Sequence, residues 1–175
     1  MSDLFPAAHG VKGWHKALLG AAPFSGDSRT AAEAFFLPAR SLCRRPVAAE
    51  AKLPVSIPAA LRKDLRLALR FWQASQRVTA DFVSGGALFP GMDKPMTLNF
   101  AMALGNYSRF FLFSGAGRLT GDASLALHAA FAEEMTRMPA AMALPPKARG
   151  PKHSPAASAL RLAAAFSAAL KKGER

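Results

Sequence analysis

The sequence predicts an all-α fold: an irregular bundle of four to five helices with a basic, proline-rich linker and a C-terminal helix. Three observations lead there. Thirteen prolines leave long proline-free windows at 59–89, 96–138 and 156–175 and a shorter one at 24–37. Interior proline breaks helices, so the helices belong inside these windows. In the first window apolar residues recur at helical spacing. Finally, 51% of the 175 residues are hydrophobic and 19% charged, which is enough to build a core and unlike a disordered chain.

In chain order, the N-terminal segment 1–56 holds a short helix from Asp27 or Ser28 to Leu37. A proline-studded connection over 38–56, containing Arg44 and Arg45, follows it. The helical core is 57–138. Its first helix has Ser56 as a cap and Pro58 in the first turn, where a missing N–H costs little, and Gly85-Gly86 ends it. At about 100° per residue Leu61, Leu65, Ala68, Leu69, Trp72 and Val83 share one side, and Leu67, Phe71, Val78 and Phe82 widen that arc. The next segment, Thr97 to about Ser114, is apolar nearly all round, as expected of a helix at the centre of a bundle. The run Phe110–Phe113 also fits a short strand. The stretch Gly115–Gly121 interrupts, and Thr120 or Asp122 then caps a helix that Pro139 stops near Met138. Its inner stripe is Leu127, Phe131, Met135 and Met138, with Glu133, Glu134 and Arg137 outside. Residues 139–155 read as linker. The Ala-rich helix 156–172 carries only a thin stripe of Leu162, Phe166 and Leu170, which predicts weak docking or ordering on a partner.

Charge narrows the functional classes. The chain has 23 Lys and Arg against 11 Asp and Glu, a net +12, and residues 139–175 carry seven basic side chains against one acidic. Such an excess favours anionic partners: nucleic acid, an anionic membrane or granule surface, or an acidic protein. A single cysteine, Cys43, excludes an internal disulfide and a cysteine-based zinc cluster. The N-terminus lacks the basic and apolar regions of a signal peptide, and 96–113 is too interrupted by Asn99, Asn106 and Arg109 to span a membrane. A cytoplasmic protein is the expectation.

The most informative motif is the series Arg62, Arg66, Arg70 and Arg77, flanked by Lys63 and Gln73. Residues four apart rise about 6 Å along one helix face. Guanidinium groups so spaced form a ladder able to meet phosphates in a row. A solvated face usually interleaves acids at i+4, yet here Asp64 falls toward the apolar side and Asp81 sits at the far end. A ladder paired with carboxylates elsewhere in the fold is the competing reading. The tail residues Lys147, Arg149 and Lys152, with His153, resemble a flexible basic arm that strengthens nucleic-acid binding by counterion release.

Other candidates carry less. Gly115, Gly117 and Gly121 before a helix suggest a phosphate loop, but the Gly-Lys-Ser/Thr ending is missing, so a helix–helix turn is the reading. His9, His15, His128 and His153 show no metal-ligand spacing. Glu133 and Glu134 are adjacent and point about 100° apart, unlike an acid/base pair. Cys43 beside two arginines invites a thiolate, but with no base in view it reads as structural. The expectation is therefore a non-enzymatic protein without cofactor or metal, contacting nucleic-acid phosphates through the Arg62–Arg77 face. The alternative is a helical adaptor or coat protein that docks on an anionic lipid or granule surface, or on an acidic protein. Amphipathic helices such as the first and the last suit that alternative.

Overall fold

The computed structural model describes residues 42–85, 94–119, 121–142, 144, 148 and 150–173, without the side chains of 96, 138–142, 172 and 173. The short helix expected over 27–37 lies outside the described residues. Among those described, all regular structure is helical: α1 Ala59–Val83, α2 Lys94–Ala116, α3 Gly121–Met142 and α4 Pro155–Gly173. Two 3₁₀ turns, Ala48–Lys52 and Pro151–His153, precede α1 and α4. The chain is thus an all-α bundle, and no helix among the described residues is long and apolar enough to cross a membrane.

Helix α1 starts one residue after Pro58, which holds the N-cap position; Ser56 makes no capping bond, a correction to the expected start. The Arg62 N–H donates to the Pro58 carbonyl at 2.9 Å, closing the first turn. At the other end Gly85 takes φ +69°, the left-handed conformation that glycine adopts without strain. Leu61, Leu65, Ala68, Leu69, Phe71, Trp72 and Val78 are all buried, as their spacing predicts. Val83 is not: 39% exposed, it sits in the last turn, at the edge of the packed region.

Helix α2 runs antiparallel to α1, and small residues let the two backbones approach. The Ser75 hydroxyl donates to the Ala101 carbonyl at 2.7 Å, and Ser108 returns the bond to the Ala68 carbonyl at 2.7 Å. A Cβ on Gly115 would lie 3.2 Å from Leu61 Cδ1 and 3.4 Å from Asp64 Cβ. Phe71 fills the neighbouring layer, its ring centroid 5.3 Å from Tyr107 and 5.4 Å from Phe111. Two expectations fail here. Gly115 does not interrupt; the helix continues through it to Ala116, and Phe110–Phe113 is helical. Nor is α2 central. Leu98 (42%), Met102 (58%) and Phe113 (49%) remain exposed on the side turned away from α1. Both α1 and α3 pack against α2 and α4, and the most extensive of these contacts is the one between α1 and α2.

Helix α3 passes through Pro139 to Met142, further than expected. The carbonyl that Pro139 cannot bond belongs to Met135, on an exposed stretch where water can supply the donor. Leu127 and Phe131 point inward, and Phe131 meets the Trp72 ring edge-on at 5.1 Å. Met135 is 45% exposed, whereas Glu134 is 4% exposed, reversing the expected order. Seven residues turn a helix back to within about 20° of its start, eight overshoot by about 80°. Glu134, not Met135, therefore continues the line from Leu127.

Helix α4 docks firmly, against expectation. Ser154 caps it, its hydroxyl accepting from Ala157 N–H at 3.1 Å, with Pro155 in the first position. Ala159, Leu162, Ala163, Phe166, Ala169 and Leu170 are all buried. The alanines widen the thin leucine and phenylalanine stripe by allowing close approach to α1, α3 and the 48–52 turn. The Gly115 contact with α1 gives the first test. Gly115→Val adds branched atoms to a seam already at contact distance, and is expected to cost about 1–3 kcal/mol. That would lower the urea midpoint at constant slope; an unchanged midpoint would mean the seam has room.

Candidate functional site

The polar side of α1 carries Lys63, Arg66, Arg70, Gln73 and Arg77 in one line, with Arg62 on its flank, but only part of the expected ladder is open. Arg70 donates from Nε to Glu50 Oε1 at 2.5 Å and from Nη2 to Glu50 Oε2 at 2.9 Å. This is the two-pronged guanidinium–carboxylate geometry, which is stronger and more directional than a neutral hydrogen bond. Arg66 Nε lies 3.7 Å from the same carboxylate. Arg62 turns back to donate to the Ile57 carbonyl at 3.0 Å, and its Nε is buried without a hydrogen-bond partner among the described residues. Lys63 and Arg77 are exposed and Gln73 is half-buried. The ladder is thus divided: Arg70 and Arg62 are bound into the fold, Arg66 is shared, and Lys63 and Arg77 face out.

The carboxylate responsible comes from the 3₁₀ turn Ala48–Lys52, which packs against α1 and α4. Glu50 also accepts the Val47 N–H at 2.9 Å. Burial acts to raise its carboxyl, but the hydrogen bonds from Arg70 and Val47 and the charges of Arg70 and Arg66 outweigh that and hold it below the usual 4.5. Arg70 Nη1 reaches the Arg44 carbonyl at 3.4 Å, so the chain at 44–45 lies beside the middle of α1. Arg44, Arg45 and Lys52 are exposed. They belong to the segment that packs beside α1, and no spacing in the sequence attaches them to it. Lys152 is exposed in the turn before α4, while Lys147 and Arg149 lie outside the described residues.

Two other acids are buried with arginine partners. Asp64, 5% exposed, is paired with Arg118 at the end of the α1–α2 seam. Glu134 accepts the Ser158 hydroxyl at 2.6 Å and Arg161 Nη2 at 2.5 Å, while Ser158 accepts the Trp72 indole N–H at 2.9 Å. Trp72, Ser158 and Glu134 thus tie α1, α4 and α3 together in one buried chain of hydrogen bonds, satisfying groups that would be costly to bury unpaired. This corrects the expectation of an outward Glu134, and Ser158 carries no sequence signal of its part. Each polar atom in this chain is directed at another, an arrangement that holds three helices in register.

The remaining candidates follow their structural readings. Burial pushes the Cys43 thiol up to about 12, and the Arg70 charge offsets this only in part, so the thiol stays protonated. His128 lies against the Phe113 ring at 4.3 Å, and burial together with the Arg109 charge lowers its pKa. Among the described residues no group of three His, Cys, Asp or Glu side chains is placed to hold a metal ion. Gly115 sits inside α2 and the turn begins only at Gly117, which removes the first glycine of the candidate phosphate loop.

No protein-family model matches the chain, and no curated protein or solved structure shows significant similarity to it.

The Glu50–Arg70 pair makes a pH-dependent prediction. A carboxyl whose pKa is depressed by folding contributes stability above its unfolded value and loses it as pH falls through the folded value. The wild type should lose stability on acidification below 4.5 more steeply than Glu50→Gln. At neutral pH, Arg70→Ala should cost about 1.5–3 kcal/mol, the range for hydrogen bonds to charged groups. Denaturant titrations across pH measure both, and parallel acid limbs for wild type and Glu50→Gln would show that the pair contributes nothing.

Proposed function

We propose that this chain is a non-enzymatic binding protein that holds nucleic acid by its phosphates on the polar face of α1, widened by the 44–52 segment. One observation carries this reading. Lys63, Arg66 and Arg77 are exposed on α1, and Arg44, Arg45 and Lys52 are exposed on the segment beside it, whose Glu50 is already engaged by Arg70 and Arg66. Asp81 lies one turn beyond Arg77. Like charges gathered on a helix repel one another, and a polyanion relieves that repulsion while releasing its own counterions. The arginines offer forked donors suited to phosphate, and the lysines add point charges.

The same face says what kind of binding to expect. It lacks an exposed aromatic residue among the described positions, since Phe71 and Trp72 point into the core. Stacking on unpaired bases is therefore not the driving contact. Phosphate contacts position a partner without reading its sequence, so affinity should depend on salt far more than on sequence.

The test is binding to a random-sequence duplex and to an RNA, titrated across salt. With four to six phosphates neutralised, log K should fall against log salt with a slope near about −4 to −5 on duplex DNA. Arg44→Glu/Arg45→Glu and Lys63→Glu/Arg77→Glu each reverse two exposed charges without touching the Glu50–Arg70 pair, and each should weaken binding and flatten the slope. No binding at low salt, with retention on anionic vesicles or on an acidic protein instead, would replace this reading by the adaptor alternative.

A further inference from the structure

Helix α2 is apolar on two sides, of which α1 covers one and α3 only the Phe113 end of the other. Its inner side packs on α1 through Ala101, Leu104, Ser108 and Leu112, all buried. The other side presents Leu98 (42%), Met102 (58%) and Arg109 to solvent, together with the half of Phe113 (49%) that His128 of α3 does not cover. At about 100° per residue these four fall within about 60° of arc, a straight stripe along the helix. A helix apolar all round is ordinarily buried all round.

From this stripe we infer that α2 pairs antiparallel with α2 of a second copy of the chain. The spacing is self-complementary about a point between Gly105 and Asn106. Leu98 and Phe113 are equally far from that point, and so are Met102 and Arg109. A two-fold axis there sets Leu98 of each copy on Phe113 of the other and Met102 on the Arg109 stem, with Asn106 beside the axis. Such isologous contacts are what a closed dimer requires. A polar Asn inside an apolar seam sets register.

Charge agrees with this occupant. Arg109 is the only charged residue in the stripe, and its guanidinium lies over the Phe113 ring at 5.4 Å from the centroid. The antiparallel register offsets the two Arg109 residues by about 10 Å along the axis, so like charges do not face one another. The apolar surface left open is on the order of 300 Å² per copy, the size of the largest apolar patch on an ordinary monomer, which is often a functional one. It would form the core of an interface of about 800 Å² per partner, whose polar rim the flanking side chains supply. A lipid surface fits less well, because a helix lying on a membrane carries a strongly basic polar face beside its apolar one.

Sedimentation of the full chain at micromolar concentration tests the inference, together with oxidation of the Asn106→Cys variant. The expected results are a dimer for the parent and a covalent dimer for Asn106→Cys. The parent chain should give no covalent dimer, because its Cys43 is buried. Met102→Asp should weaken dimerisation by at least roughly tenfold with helical circular dichroism unchanged, since Met102 is exposed within one chain. A monomeric parent overturns the inference. If Met102→Asp also lowers the melting temperature of that monomer, the stripe is covered by another part of the same chain. If the monomer floats with anionic vesicles, lipid covers it. A parent dimer that survives Met102→Asp, with no cross-link forming in the Asn106→Cys variant, overturns it as well.

Discussion

The antiparallel contact between α1 and α2 is the constraint from which the rest of the structure follows. Its chemistry is modest: two buried serines, each donating to a carbonyl of the opposite helix, and a glycine where side chains would keep the helices apart. A buried hydroxyl without a partner costs about as much as a lost hydrogen bond. Carbonyls recur at every turn, so the serines alone would tolerate a slide; Gly115 would not, because moving α2 by one turn brings Phe111 or Leu119 to the place it holds against Leu61 and Asp64. With register fixed, Phe71 meets Tyr107 and Phe111, and Asp64 meets Arg118. The other side of α1 is then left to receive α4, where Trp72 finds Ser158.

The same structure explains how so basic a chain distributes its charge. Glu50, Asp64 and Glu134 are each drawn inward against arginine, and each joins segments distant in sequence. Acids used in this way no longer dilute the surface. The arginines that serve them range from 20% exposed at Arg70 to 49% at Arg118, and each close pair is neutral as a unit. The basic excess of 23 Lys and Arg over 11 Asp and Glu is then carried by the bases that no acid pairs.

Much of the fold is legible in the sequence because it rests on local rules. Proline windows locate α1, α2 and α4, and period alone identifies the buried side of α1. Three of the differences share one cause, a residue's type outweighing its position. Glu134 reads as outside because it is charged, although helix geometry continues the Leu127–Phe131 line through it. Gly115 reads as a break because it is glycine, although a helix pressed against another needs a small residue there. Pro139 reads as a stop, although an exposed helix tolerates one lost bond. For the basic face, the ladder is visible in the spacing of 62, 66, 70 and 77. Its pairing with Glu50 is not, because a contact across 20 residues leaves no periodic trace.

The basic face and the apolar stripe lie on opposite sides of the α1–α2 seam, and the seam itself makes that so. Helix α1 turns its apolar side to α2 and its basic side away, while α2 turns its serine and alanine side to α1 and its Leu98–Phe113 stripe away. Covering the stripe therefore leaves the basic face open. In an antiparallel dimer two such faces would lie on the outside, related by the two-fold axis. A polyanion long enough to reach both would bind them as linked sites, with the second contact favoured by the effective concentration that the first creates. The affinity of a dimer for a long duplex would then exceed that for a short one by more than the number of phosphates explains, and that excess would vanish with the stripe while the salt dependence of a single face remained.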